Sequence, residues 1–291
     1  MSRQPKYKFY ASLLDAFQEY MDANPDDYFY QDEQGAWHKN VNDETGEYHL
    51  SAEEVDALAR QELIDKINRV ESEPSEAADK GTAFNEIVDC LIEKRKPSED
   101  IKVTRLCTAP NPVIGSGEAA PVGKPVVYGL RAELDGFVFD YDIAFCLFAA
   151  EYFSGSLCQV LTSAPLETKY GVVELYGYAD YVRENKVYDL KTTKRYDFGK
   201  YETKWQKHVY PYCFIVNGKC TDIKEFEYTC FKLSGGTSRT PLITGQMFPE
   251  VYTFDFEKSK VLLTQHCERL IEFLNENRSL ITDKKVFGGE K

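Results

Sequence analysis

The tightest constraint on how this chain can fold is the alternating stretch at residues 177–193, GYADYVRENKVYDLKTT. Two segments rich in β-branched and aromatic residues flank Glu184-Asn185, the pattern of a hairpin turning at that dipeptide. Side chains alternate along a strand, so Asp189 and Lys191 share one face and Leu190 takes the other. That turn sets Asp180 opposite Asp189, with β-carbons roughly 5 Å apart. Two ionised carboxylates so close repel one another. A slip of one residue would turn one strand over and dissolve the arrangement. A helix over residues 201–218 follows and puts Gln206 and Tyr210 one turn apart on a common face, with Pro211 as a kink.

A divalent cation would relieve the conflict between the carboxylates. Mg2+ favours one or two carboxylates together with waters and phosphate oxygens. Lys191, one strand period from Asp189, could then stabilise a pentacovalent phosphate or orient an attacking water. The plainer alternative is an ion-pairing hairpin in which Asp189 and Lys191 are simply partners.

The G-x-x-D pattern of Gly177–Asp180, the D-x-K of Asp189–Lys191 and the Q-x3-Y of Gln206–Tyr210 together resemble the PD-(D/E)xK nuclease superfamily, in particular its RecB-like and phage-exonuclease branches. The resemblance covers about residues 81–218. It implies an α/β fold with a restriction-endonuclease-like core, a central mixed sheet flanked by helices, and N-terminal helical additions. Residues 1–80 are then an N-terminal helical extension and 81–291 the nuclease-like domain, with an insertion near 97–125.

The implied activity is hydrolysis of DNA phosphodiester bonds by an exonuclease of phage or mobile-element recombination. The alternative is a catalytically inactive nuclease-fold module that binds DNA or a partner. The implied cofactor is Mg2+ or Mn2+, held by Asp180, Asp189 and the Leu190 carbonyl. Lys191, Gln206 and Tyr210 complete the implied catalytic set, although a buried polar pair explains Gln206 and Tyr210 as well. In this family a helix opening on Gly carries His or Glu four residues on. Here Gly81 is followed by Asn85, a weaker ligand. Glu86 beside it is either a metal contact or an ordinary surface acid. Glu167 stands where relatives have a strand glutamate, with a site role and a cross-strand salt bridge equally open.

A net charge of −13 opposes nucleic-acid binding when taken globally, but its distribution is uneven. Residues 41–100 hold 17 Asp/Glu against 7 Lys/Arg, whereas residues 183–208 hold 8 Lys/Arg against 4 Asp/Glu. Local field governs phosphate attraction. Lys194, Arg195, Lys200, Lys204 and Lys207 are therefore expected to border a substrate groove, with a solvated charged face as the alternative. DNA is the expected partner, with a single-strand annealing or recombination protein as a second.

No run of 18 apolar residues and no signal-like N-terminus occur, so no membrane association and a cytoplasmic location are expected. The 8 cysteines lack any C-x2-C pair and read as buried free thiols, with neither a disulfide framework nor an iron–sulfur cluster. GSGEAAPVGKP lacks the G-x4-G-K-[ST] spacing, so no nucleotide site is expected.

Elsewhere, periodicity predicts helices over 7–22, 51–70 and 81–96, and a hairpin turning at Asp135-Gly136. A short apolar helix follows, then a strand ending near residue 171 that leads into the hairpin. Two further strands, FEYTCFKLSG and PEVYTFDFE, and a last amphipathic helix complete the reading.

Overall fold

The computed structural model describes residues 5–32, 37–42, 44–71, 74–108 and 125–288. The strands are β1 (Tyr7–Tyr10), β2 (Phe29–Gln31), β3 (Trp37–Lys39), β4 (Lys102–Cys107), β5 (Val127–Leu134), β6 (Phe137–Asp142), β7 (Leu157–Thr168), β8 (Gly171–Arg183), β9 (Lys186–Thr193), β10 (Glu225–Ser234) and β11 (Thr244–Thr253). The helices are α1 (Ala11–Met21), α2 (Ala52–Asn68), α3 (Glu76–Glu93), α4 (Ile143–Tyr152), α5 (Gln206–Val216) and α6 (Phe256–Glu276). The molecule is an α/β protein whose mixed central sheet is flanked by helices.

That sheet runs β1-β8-β9-β10-β11, with β7 added on β8. β8 is the organising strand. One edge is covered along its length by antiparallel β7, from Thr168↔Gly171 to Leu157↔Val182. The other edge is shared: β1 runs parallel to Val173–Tyr176, and β9 runs antiparallel to Tyr181–Arg183. Between those partners, Gly177–Asp180 has no strand neighbour on this edge, and the sheet forks there. The hairpin register is Tyr181↔Tyr188, Val182↔Val187 and Arg183↔Lys186, so its turn is Glu184-Asn185, with Glu184 at φ 53. β9 continues parallel to β10, with Asp189 beside Tyr228.

Two apolar layers sandwich the sheet. One packs Phe9, Leu13, Leu14 and Ile67 against Val209, Phe214, Leu270 and Leu274, so α1, α2, α5 and α6 share a core. The other packs Phe84, Ile87 and Val88 of α3 against Tyr141, Phe153, Tyr181 and Phe231. Their aromatic rings are stacked or edge-on, as at Phe84–Phe145, with centroids 4.8 Å apart, and at Phe153–Tyr181, 4.0 Å apart.

Several expectations need correcting. Tyr7–Tyr10 is a strand, because the apolar side chains of YKFY alternate and β8 offers an open edge. The helix begins only at Ala11. Residues 1–80 are consequently no appendage in their described parts: β1 lies in the main sheet, and α1 and α2 lie in the main core. α2 opens on a Ser51–Glu54 capping box, the kind of cap worth about 1 kcal/mol. α3 starts at Glu76, so Gly81 is internal to the helix. A β-carbon there would come within 2.5 Å of Thr192 Oγ1, and the glycine is what lets α3 lie against β9. The expected irregular insertion contains β4, antiparallel to β5. The GSGEAAPVGKP segment lies outside the described residues but for its last proline.

Candidate functional site

The fork in β8 is filled by the start of α5. A β-carbon on Gly177 would meet Tyr210 Cε1 at 2.7 Å, so the glycine of G-x-x-D is needed because the Tyr210 ring packs directly on the strand there. Gln206, one turn earlier, donates from Nε2 to Asp189 Oδ1 at 2.9 Å and approaches the Tyr210 hydroxyl at 3.4 Å. Both side chains are buried, at 9% and 5% exposure. The Q-x3-Y pair therefore braces the two strands at the point where they part.

Asp180 is the first residue beyond the β8–β9 ladder. Its Oδ2 accepts from the Leu190 amide at 2.8 Å, and the side chain takes over where the backbone pairing ends. On its other side, Gln159 Nε2 donates to Oδ1 at 3.3 Å. Gln159 itself stands at φ 47, a left-handed conformation that costs a non-glycine residue on the order of 1 kcal/mol. Such local strain recurs beside functional side chains.

Asp189 is 2% exposed, and its Oδ2 lies 2.6 Å from Lys191 Nζ. A cleft of about 1160 Å³ gathers Asp180, Asp189, Leu190, Lys191, Gln206 and Tyr210 with Asn85, Glu86 and Asp89 of α3.

Electrostatics follow from this crowding. Burial, then the charge of Asp189, raises the Asp180 pKa to about 7. Burial likewise raises that of Asp189 against the opposing pull of Lys191. For Lys191 burial acts downward, yet Asp189, Asp180 and Asp15 outweigh it and the ammonium is held more firmly.

Asp89 of α3 belongs to none of the sequence motifs that mark the site, yet it lines the same cleft. It is 2% exposed, its Oδ1 has no hydrogen-bond partner, and burial raises its pKa to about 6. The helical spacing Gly81-x3-Asn85-x3-Asp89 could have pointed to it, because positions four apart share a face. Asp15 of α1 was missed too. It is buried, and its Oδ1 accepts from the Trp205 amide at 2.5 Å, fixing the residue that precedes Gln206.

Other expected site residues are placed differently. Glu86 accepts from both terminal nitrogens of Arg95, at 2.7 and 2.9 Å, and from the Ser98 amide at 2.6 Å. Its oxygens are engaged by the chain segment after α3. The Asn85 carbonyl oxygen accepts from the Tyr181 hydroxyl at 2.8 Å. Glu167 is exposed beside the β7–β8 turn, paired with Val172, at the far end of β8 from Asp180.

The basic side chains are dispersed. Lys194 lines a small cavity with Lys80, Thr192 and Thr193. Arg195 pairs with Asp197, and Lys200 lies 3.5 Å from Thr193 Oγ1. Lys204 is engaged by Glu19. Lys207 turns away from the cleft, over the Tyr252 ring and onto the Glu202 carbonyl, so it does not border the groove.

A divalent cation is consistent with this donor set. Among the described residues no three His, Cys, Asp or Glu side chains are grouped to form a ready-made metal cage. Mg2+ does not need one: it is held by one or two carboxylates and keeps much of its water. Asp180 and Asp189, whose mutual repulsion is unresolved by protein partners alone, match that requirement. All 8 cysteines are free, with Cys146, Cys213, Cys230 and Cys267 buried.

No helix among the described residues is long and apolar enough to cross a membrane. No family model and no curated protein matches the chain. A solved structure described as "Crystal structure of SSO0001" aligns with 39% of this chain and 50% of its own length, at 16% identity and a TM-score of 0.27. The chain thus spans half of that protein, and the superposition is too slight to bear on fold or function.

Proposed function

We propose that the protein is a Mg2+- or Mn2+-dependent nuclease that hydrolyses DNA phosphodiester bonds on a PD-(D/E)xK-type, restriction-endonuclease-like core. The observation that carries this reading is the convergence of Asp180, Asp189 and Lys191 at the fork of one sheet, braced by Gln206 and Tyr210. Asp180, Asp189 and the Leu190 carbonyl would hold the cation. Bound there, it would supply an acidified water and neutralise phosphoryl charge.

The chain's own contribution is arrangement. Gln206 holds Asp189 by Oδ1 and leaves Oδ2 toward Lys191. The Lys191 ammonium is the cationic group available to a developing phosphorane. Asp89, with one free oxygen in the same cleft, is available to a water at the site. Exonucleolytic action, of the phage or mobile-element recombination type, rests on the sequence resemblance alone.

Incubation of end-labelled linear and closed circular DNA with Mg2+ or Mn2+ tests the reading. Metal-dependent loss of the linear form alone supports an exonuclease, and loss of both an endonuclease. Inert protein with every metal removes the nuclease assignment. One observation favours a second reading, a nuclease-fold module that binds DNA or a partner without cleaving. Glu86 and Asn85 of α3 are both committed to protein partners, which leaves Asp89 as that helix's sole free donor in the cleft among these three.

A further inference from the structure

Phe198 is 87% exposed, the highest value of any large hydrophobic side chain among the described residues. It does not sit on a loose end. Its loop, residues 194–205, leaves β9 after Thr193 and returns at Gln206, and Thr192 and Gln206 both line the cleft. The loop is pinned on either side of the phenylalanine. The Tyr196 ring stacks on Phe248 with centroids 4.2 Å apart and planes 10° apart, and the Gly199 amide donates to buried Glu250 at 3.2 Å. Thr193 Oγ1 donates to the Arg195 carbonyl at 2.6 Å. A free loop would fold an aromatic ring back onto apolar surface. This one is held so that it cannot.

A second aromatic stands in the cleft itself. Tyr178 lies in the stretch of β8 that is paired on one edge only, by β7, two residues before Asp180 and on the same side of the strand, and is 57% exposed. Cations accompany the rings: Arg195, 85% exposed at its side chain, and Lys194 and Lys200, also exposed. Exposed rings with exposed cations near them in the chain suit an unpaired strand, whose bases offer faces to stack and whose phosphates offer charge. A continuous duplex buries those faces in its own stack.

Resting on the nuclease reading, we propose that Tyr178, in the cleft, and Phe198, on the loop that links β9 to α5, are base-stacking platforms, and that the substrate is a single strand or a frayed end. The cut then falls where the bases have left the helical stack.

The test uses the full chain with Ca2+ in place of Mg2+ and oligodeoxynucleotides carrying 2-aminopurine, compared as a single strand and as a blunt duplex. Stacking is read as quenching of the fluorescent base, and affinity by titration. The single strand should bind more tightly than the blunt duplex. Tyr178→Ala and Phe198→Ala should each weaken it by roughly tenfold and relieve the quenching, while Tyr178→Phe retains both. Equal binding of duplex and single strand, or unchanged quenching in the Tyr178→Ala, Phe198→Ala double variant, overturns the proposal. Ring-dependent binding by a protein that cleaves nothing in Mg2+ or Mn2+ supports the stacking platforms and removes the nuclease reading. Cleavage indifferent to both rings does the reverse. Both rings are exposed, so these variants should fold.

Discussion

Adjacent strands of this sheet carry two buried acids with opposite fates. Glu227 of β10, 1% exposed, accepts from the Tyr152 hydroxyl at 2.8 Å and from Thr229 Oγ1 at 2.7 Å, and pairs with Lys186 at 2.7 Å. Its charge is fully met by neighbours, as buried ion pairs require. Asp189 of β9 is equally buried and has Gln206 and Lys191, yet it shares its cleft with Asp180 and with the half-satisfied Asp89. One acid completes a network, and the other is kept in like-charged company. A fold that can satisfy Glu227 so thoroughly retains the second cluster at a cost in stability, which points to use by a ligand rather than to the core.

The largest expected effect separates the two acids by exchanging each carboxylate for its amide. Asp189→Asn should lower metal-dependent cleavage by about a thousandfold or more, the scale of losing a principal electrostatic group. Its thermal midpoint without metal should be equal or higher. Glu227→Gln should leave the cleavage rate alone and reduce stability to urea by roughly 3 kcal/mol, because it leaves Lys186 under-compensated. If Asp189→Asn cleaves DNA at the native rate, the contrast between the acids collapses.

A pH titration of stability sharpens the same contrast. The Asp180 pKa is raised in the folded protein to about 7 from an ordinary carboxylate value near 4, and the group binds its proton more tightly folded than unfolded. Its contribution is present in full below pH 4 and is lost as pH rises toward 7. Denaturant midpoints without metal should therefore show a falling component between those limits. Asp180→Asn should remove that component, and Mg2+ should offset it in the native protein near pH 8. An identical pH profile in Asp180→Asn would place Asp180 among satisfied acids such as Glu227.

The smallest effect concerns the cations. Lys207→Ala should leave DNA affinity and its salt dependence unchanged, because the side chain is spent on Tyr252 and Glu202. Lys194→Ala combined with Lys200→Ala should weaken binding and flatten the dependence on salt. Filter binding across a salt series distinguishes them, and equal losses in the two variants would restore a single basic groove.

The hairpin was legible in the sequence because a two-residue turn and strict alternation determine register locally, and so were the Ser51 cap, the Asp135-Gly136 turn and the order of the later strands. What escaped was set at long range. YKFY reads as either strand or helix until β8 presents an edge. Gly81 resembles a helix start, and only Thr192 reveals why a side chain is forbidden there. Glu86 and Asp89 sit on one helix, and Arg95, arriving from the following turn, takes both oxygens of Glu86 while standing 3.9 Å from one oxygen of Asp89. Lys207 follows Gln206 by one residue and so points about 100° around α5, a rotation hidden in a count of basic residues.

The parallel pairing of β1 with β8 also bears on the order of assembly. Tyr7 emerges from the ribosome long before Val173, its partner, and at 5–20 residues per second the wait is on the order of 10–30 s. Through that interval β1 has no strand to join, and α1 cannot present Asp15 to the start of α5. The fork that gathers the carboxylates can close only after the last of its walls has been synthesised. Nascent chains should therefore pass through a long phase in which β1 waits unpaired, and the hairpin that carries Asp180 and Asp189 is made only at its end, just ahead of α5.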